Sequence, residues 1–98
     1  MSSSYRLAFI PAALKEWKKL DRPVQLQFKK KLAERLENPH VLASQLYGLP
    51  NHYKIKLRAT GYRLVYEVQD QKICVLVIAV GKRDKLAVYK KAKKRQEG

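Results

Sequence analysis

A chain of 98 residues, 46% of them apolar, can build one small hydrophobic core and not two, so a single domain over 1–98 is expected. Its 22 Lys and Arg against 8 Asp and Glu give a formal charge of +14, which draws the domain toward polyanions such as nucleic acid, anionic membrane or an acidic protein. Periodic aliphatic runs exclude intrinsic disorder, and no apolar run approaches the roughly 20 residues of a membrane span.

The start "MSSSYRLAF" lacks the charged-then-apolar layout of a signal peptide, so a cytoplasmic chain is expected. From Tyr5 to Ile10, Tyr5, Leu7 and Phe9 alternate with Arg6 and Ala8, as in a strand with one buried face. Pro11 suits the first position of a helix in which Ala13, Leu14, Trp17 and Leu20 recur at helical spacing, with Lys15, Glu16, Lys18 and Lys19 mostly outward. Asp21-Arg22-Pro23 breaks that helix. Val24, Phe28, Leu32 and Leu36 line a second one, expected to stop near Asn38-Pro39. Residues 40–50 show no period, although Leu42, Leu46 and Leu49 offer anchors for an irregular loop.

The stretch "HYKIKLRATGYRLVYEV" then reads as a hairpin. Tyr53, Ile55 and Leu57 alternate with Lys54, Lys56 and Arg58, and Gly61 stands where a tight connection often needs positive φ. Ile73–Val80 is apolar throughout, as in a central strand covered on both faces, and holds Cys74 as a small buried hydrophobe. Gly81 is expected to end that strand and Asp84 to cap a last helix with Leu86, Tyr89 and Ala92 inward, while a basic tail from about Lys90 frays. The fold class is α+β: an antiparallel sheet with the two N-terminal helices on one face, a short C-terminal helix, and a cationic hairpin on an open second face.

Most hydrolytic chemistry lacks its residues. His40 and His52 are the only histidines, in no metal-ligand spacing, so neither a metal nor another cofactor is expected. There is no local nucleophile signature, no glycine-rich phosphate loop and no carboxylate pair on the candidate face. Catalysis here must run on Lys, Arg and Tyr. RNA permits that, because its 2′-hydroxyl supplies the nucleophile. The protein must take up that proton, stabilise charge on the phosphoryl oxygens and assist the leaving oxygen; a cation cluster serves the last two, and a lysine crowded by like charges is more readily neutral for the first.

The segments "YKIKLRATGYRLVYEV", "VIAVGKRDKLAVY" and "ALKEWKKLD" closely resemble the RelE branch of the RelE/ParE toxins of bacterial toxin–antitoxin modules, over nearly the whole chain from Leu7 to Tyr89. The resemblance implies a RelE-like, microbial-ribonuclease-like fold. It also implies a ribosome-dependent endoribonuclease that enters the aminoacyl (A) site, contacts ribosomal RNA and cuts messenger RNA there, held in check by a RelB-like antitoxin, with no membrane partner. It places the catalytic set on Lys54, Lys56, Arg63, Arg83 and Tyr89. The tail "KKAKKRQEG" is more basic than the family pattern. Two alternatives stand: a non-enzymatic RNA- or ribosome-binding module using the same face, and a gyrase-directed toxin of the ParE branch.

Each residue also has a plainer reading. Strand lysines are usually solvated; Arg63 can pair with Glu67, although surface pairs contribute only about 0–1 kcal/mol. His52 beside the lysines is a weaker candidate base. Lys15, Lys18, Lys19, Lys29, Lys30 and Lys31 suit either a solvated helix face or contact with RNA phosphates.

Overall fold

In a computed structural model of the chain, residues 4–82 and 87–97 are described. Arg83, Asp84 and Leu86, to which roles were assigned above, lie outside them.

The elements run β1 (Arg6–Phe9), α1 (Pro11–Lys18), α2 (Arg22–Glu37), β2 (His52–Lys56), β3 (Tyr62–Gln69), β4 (Cys74–Lys82) and α3 (Ala87–Glu97), with short 3₁₀ turns at Leu42–Ser44 and Asp70–Lys72. Prolines sit in the first turns of α1 and α2, where their missing N–H costs nothing. At the end of α1 the Trp17 carbonyl accepts both from the Leu20 N–H at 3.0 Å and from the Gln25 side-chain amide at 2.9 Å.

The strands form one sheet in the order β1-β4-β3-β2. It is mixed rather than wholly antiparallel. β1 pairs in parallel with β4, Arg6 opposite Cys74 and Phe9 opposite Val77, because the chain leaves β1 through two helices and a hairpin before β4 arrives beside it. β4 is the central strand expected, but it starts at Cys74. Ile73 instead takes a left-handed turn (φ 50°) and is exposed. The 57–62 turn closes with Gly61 at φ 80°, its N–H donating to the Leu57 carbonyl at 2.8 Å. Gly61 meets the expectation of positive φ.

Alternation divides the sheet into two faces. Tyr53, Ile55 and Leu57, with Leu64, Tyr66, Val68, Val75, Val77 and Val80, pack against Ala13, Trp17, Val24, Phe28 and Leu32 of α1 and α2. On the other face Val65, Ile78 and Ala79 pack against Val88 and Ala92. A register shift produces this second patch: Val65 pairs with Ala79 and Tyr66 with Val77, leaving Ile78 as the extra residue of a bulge. Ile78 and Ala79 thus share a face, and the apolar side of β4 changes from odd to even numbering.

The second face is therefore not open, as expected, but crossed by α3, which continues to Glu97 rather than fraying from Lys90. Lysines dilute its apolar period in the sequence; Val88 and the fully buried Ala92, four residues apart, make its apolar contact with the sheet. Gly81 lies inside β4, not at its end, and a Cβ there would meet Val88 Cγ2 at 2.9 Å. Its missing side chain is what lets helix and strand approach.

Candidate functional site

The hairpin places cations where the second face emerges from beneath α3. Lys54 and Lys56 occupy alternate positions of β2, so both lie opposite the buried Tyr53, Ile55 and Leu57. Lys56 pairs across the ladder with Arg63 of β3. Like charges directly opposite one another in a sheet are destabilising, and among the described residues neither side chain forms an ion pair with a carboxylate. Arg63 donates to the Gly61 carbonyl at 3.4 Å, a contact that holds its guanidinium near the turn. The expected alternative, pairing with Glu67, is not formed: Glu67 accepts instead from Gln69 at 3.2 Å and from Gln96 at 3.4 Å, toward the far end of the strand.

Tyr89 reaches the same place from α3. The Lys54 ammonium lies 5.9 Å from its ring centroid, within cation–π range. Four of the five residues singled out above are thus described, three on the hairpin and one on the covering helix. The fifth, Arg83, lies outside the described residues.

Two unanticipated groups hold this arrangement. Arg35 of α2 donates from Nη1 to the Lys54 carbonyl at 3.2 Å and to the Tyr66 hydroxyl at 3.0 Å, and from Nη2 to Ser44 Oγ at 3.3 Å. Tyr66 in turn donates to the Pro39 carbonyl at 2.8 Å; burial, only partly opposed by the Arg35 charge, pushes its phenol up from the usual range. The backbone beneath Lys54 is therefore fixed from the opposite face.

Glu16 is the second. β1 ends opposite Val77, so the next residues of β4 lack a strand neighbour on that edge. The Val80 N–H donates to Glu16 Oε1 at 3.0 Å and the Ile78 carbonyl accepts from Arg95 at 2.7 Å. Arg95 also forks onto both Glu16 oxygens, at 3.1 and 2.9 Å, and Lys91 reaches Oε2 at 2.7 Å. Burial raises the Glu16 carboxyl, but the hydrogen bonds from Arg95, Lys91 and Val80 outweigh it and hold the group below the usual carboxylate range. Glu16, expected to face outward, instead binds α3 to the sheet edge. Only its helical position was legible; its partners lie 75 and 79 residues away.

His52 is 4% exposed and committed at both ring nitrogens, Nδ1 to the Pro50 carbonyl and Nε2 to the Gln96 amide, each at 2.8 Å. Those contacts fasten the end of α3 to β2 and leave neither ring nitrogen free. Among the described residues no group of three or more His, Cys, Asp or Glu is placed to hold a metal ion, and no helix is long and apolar enough to cross a membrane.

A family model described as the ParE toxin of the type II toxin–antitoxin system parDE matches residues 7–87. The mRNA interferase toxin RelE of Escherichia coli is 55% identical over 92 residues, covering 94% of this chain and 97% of that protein, and the mRNA interferase RelE of Shigella flexneri matches to the same extent. Among solved structures, the isolated E. coli RelE toxin superposes with a TM-score of 0.81 at 54% identity, over 95% of this chain and 99% of that one. The toxin in the intact E. coli RelBE toxin–antitoxin complex also gives 0.81, at 55% identity, over 84% of this chain and all of that one. The RelBE2 complex of Mycobacterium tuberculosis, at 18% identity and 0.64, shares the fold alone.

Proposed function

The chain belongs to the RelE branch of the RelE/ParE family of type II toxins, and from that membership we propose that it is an endoribonuclease that inhibits translation by cutting messenger RNA, neutralised by a RelB-type antitoxin. The observation that carries this reading is the hairpin's cationic pair, Lys56 opposite Arg63, with Lys54 against Tyr89, in a chain 55% identical over nearly its full length to an mRNA interferase.

The chemistry follows from what this face offers. The ribose 2′-oxygen attacks the adjacent phosphorus, a 2′-oxygen–phosphorus bond forms as the bond to the 5′-oxygen breaks, and the products carry a cyclic phosphate upstream and a free 5′-hydroxyl downstream. Lys54 and Lys56 serve as base or phosphate anchor, Arg63 stabilises the phosphoryl oxygens, Arg83 supports the leaving side, and Tyr89 orients the nucleotide or passes a proton. With both His52 nitrogens engaged and Glu67 turned to glutamine amides, general acid–base help is weak, so positioning and charge stabilisation supply more of the acceleration. Cations grip any RNA backbone but do not impose in-line geometry. The ribosome supplies it by fixing codon and toxin against each other in the A site, which puts the action in the cytoplasm.

The decisive experiment adds purified protein to ribosomes programmed with a defined messenger and maps the new ends. Cleavage within the A-site codon, abolished by a 2′-deoxy substitution at the attacking nucleotide, is expected; binding without new ends means a non-enzymatic module. The ParE name of the matching family model is the one observation favouring a gyrase-directed toxin, and inhibition of purified gyrase supercoiling with intact messenger would establish it.

A further inference from the structure

β2 carries both lysines of the site and is an edge strand, with no further strand beyond it among the described residues. Edge carbonyls need other partners, and a strand held on one side only is free to shift. The loop before β2 covers the start of its outer side: the His52 carbonyl accepts from the Leu46 N–H at 2.9 Å, and Gln45 bridges to Tyr53. Two residues further on, the partner is a side chain. The Lys54 carbonyl accepts from Arg35 Nη1 at 3.2 Å, and the same guanidinium reaches the Tyr66 hydroxyl at 3.0 Å and Ser44 Oγ at 3.3 Å. Its central carbon lies 5.8 Å from the Tyr66 ring centroid. One arginine of α2 thus joins the loop, β3 and the backbone of Lys54.

Arg35 is half-buried, and the ion pairs among the described residues are those of His40, Lys91 and Arg95, not its own. Its bonds go to neutral oxygens. In a chain of charge +14, a partly desolvated cation without a carboxylate, so near Lys54, adds repulsion. Tyr66 keeps its bond to the Pro39 carbonyl without it, and an apolar side chain would cover the helix face at lower electrostatic cost. Stability is therefore a weak reason for an arginine here, whereas a planar fork able to reach three elements at once is a strong one. We infer that Arg35 is a positioning residue for messenger cleavage: it stands in for a neighbouring strand and fixes the Lys54 backbone, so that the ammonium is presented beside Tyr89 to the scissile phosphate. The inference rests on the messenger-cleaving reading and adds to it a residue that does not touch RNA. A shift of β2 would carry the ammonium away from the Tyr89 ring, 5.9 Å from it. Misplacing a reacting group by about 1 Å can cost about 10²-fold in rate.

The test separates position from charge and from fold. Single-turnover cleavage on programmed ribosomes is measured against protein concentration for the native chain, Arg35→Leu and Arg35→Lys, and again with Lys54→Ala added to each. Arg35→Leu should lower the saturated rate by about 10- to 100-fold and leave the half-saturating concentration nearly unchanged, since every cation on the RNA-facing side is retained. Arg35→Lys keeps the charge but ends in a single nitrogen that cannot span Ser44, Tyr66 and the Lys54 carbonyl, so it should be nearly as slow. With Lys54→Ala present, the same substitutions should cost little more, because the group they misplace is gone. Effects that multiply in that background, a near-native rate for Arg35→Lys, a change confined to the half-saturating concentration, or unchanged cleavage by Arg35→Leu would each overturn the assignment. Amide exchange reads the clasp without catalysis: in Arg35→Leu, protection should fall in β2 while α2 and β4 keep theirs. Uniform loss would mean that Arg35 only stabilises the fold. A native chain that leaves the messenger uncut, with β2 selectively loosened in Arg35→Leu, would defeat the cleavage reading and spare the clasp; unaltered β2 protection would defeat the clasp.

Discussion

Tyr53, Ile55, Leu64 and Tyr66 face α1 and α2, whereas their sequence neighbours Lys54, Lys56, Arg63 and Val65 belong to the face that α3 crosses. The first face is sealed by large side chains, including Phe28 and Leu32 and the stacked rings of Tyr53 and Tyr66 with centroids 5.6 Å apart. The second has a small apolar patch of Val65, Ile78, Ala79, Val88 and Ala92, and is otherwise held by polar clasps: Glu16 with Lys91 and Arg95, and His52 with Gln96. Stability resides mainly on one side of the pleat, and the proposed chemistry lies on the other. A two-residue period makes that separation possible, since cations can accumulate on one face without disturbing the packing beneath them.

If the faces divide the work in this way, damage to each should have a different signature. Phe28→Ala should have the largest effect on stability, about 3–5 kcal/mol from lost burial and the cavity left behind. Urea unfolding measures it, and cleavage should fall only by the fraction of chain unfolded. Arg95→Ala removes charge-assisted hydrogen bonds of the kind worth about 1.5–3 kcal/mol each and strands the Ile78 carbonyl. It should release α3 first, seen as lost amide-exchange protection in α3 while β3 stays protected. Gly81→Ala drives a Cβ against the buried, χ1-restricted Val88 and should cost about 1–3 kcal/mol, with cleavage slowed because Tyr89 is displaced.

The smallest effect expected is acid loosening of α3. Glu16 is held below the carboxylate range, so its contribution is complete above the unfolded-state value of about 4.3 and is lost as pH falls through the lower folded value. Protection of α3, corrected for intrinsic exchange, should be flat from neutral pH to about pH 5 and decline below that. In Glu16→Gln it should be weaker throughout and lack the Glu16 component of that decline.

The division was partly legible in the chain. Alternation from Tyr53 to Arg58 displays it directly, and the stripe Val24, Phe28, Leu32 locates the covering helix. The bulge was not legible, because the run from Cys74 to Val80 is apolar at every position and offers no alternation whose interruption could be seen. The parallel pairing of β1 and the docking of α3 depend on tertiary contacts. Lys91 and Arg95 look like any solvated lysine-rich tail until Glu16, far away in sequence, is placed beside the free edge of β4. Of the proposed catalytic set, the strand residues were predictable as a surface; their nearness to Tyr89 required the helix to be seen in place.

The central claim is that the cationic face acts without holding the fold, and Arg63→Ala tests it most directly. Single-turnover cleavage on programmed ribosomes and urea unfolding are measured on one preparation. Removing one charge-stabilising donor should slow cleavage by about 10²–10³. The unfolding free energy should stay within about 0.5 kcal/mol of the native chain, as for a surface substitution. A rate that is unchanged, or one that falls only in step with stability, would contradict the account.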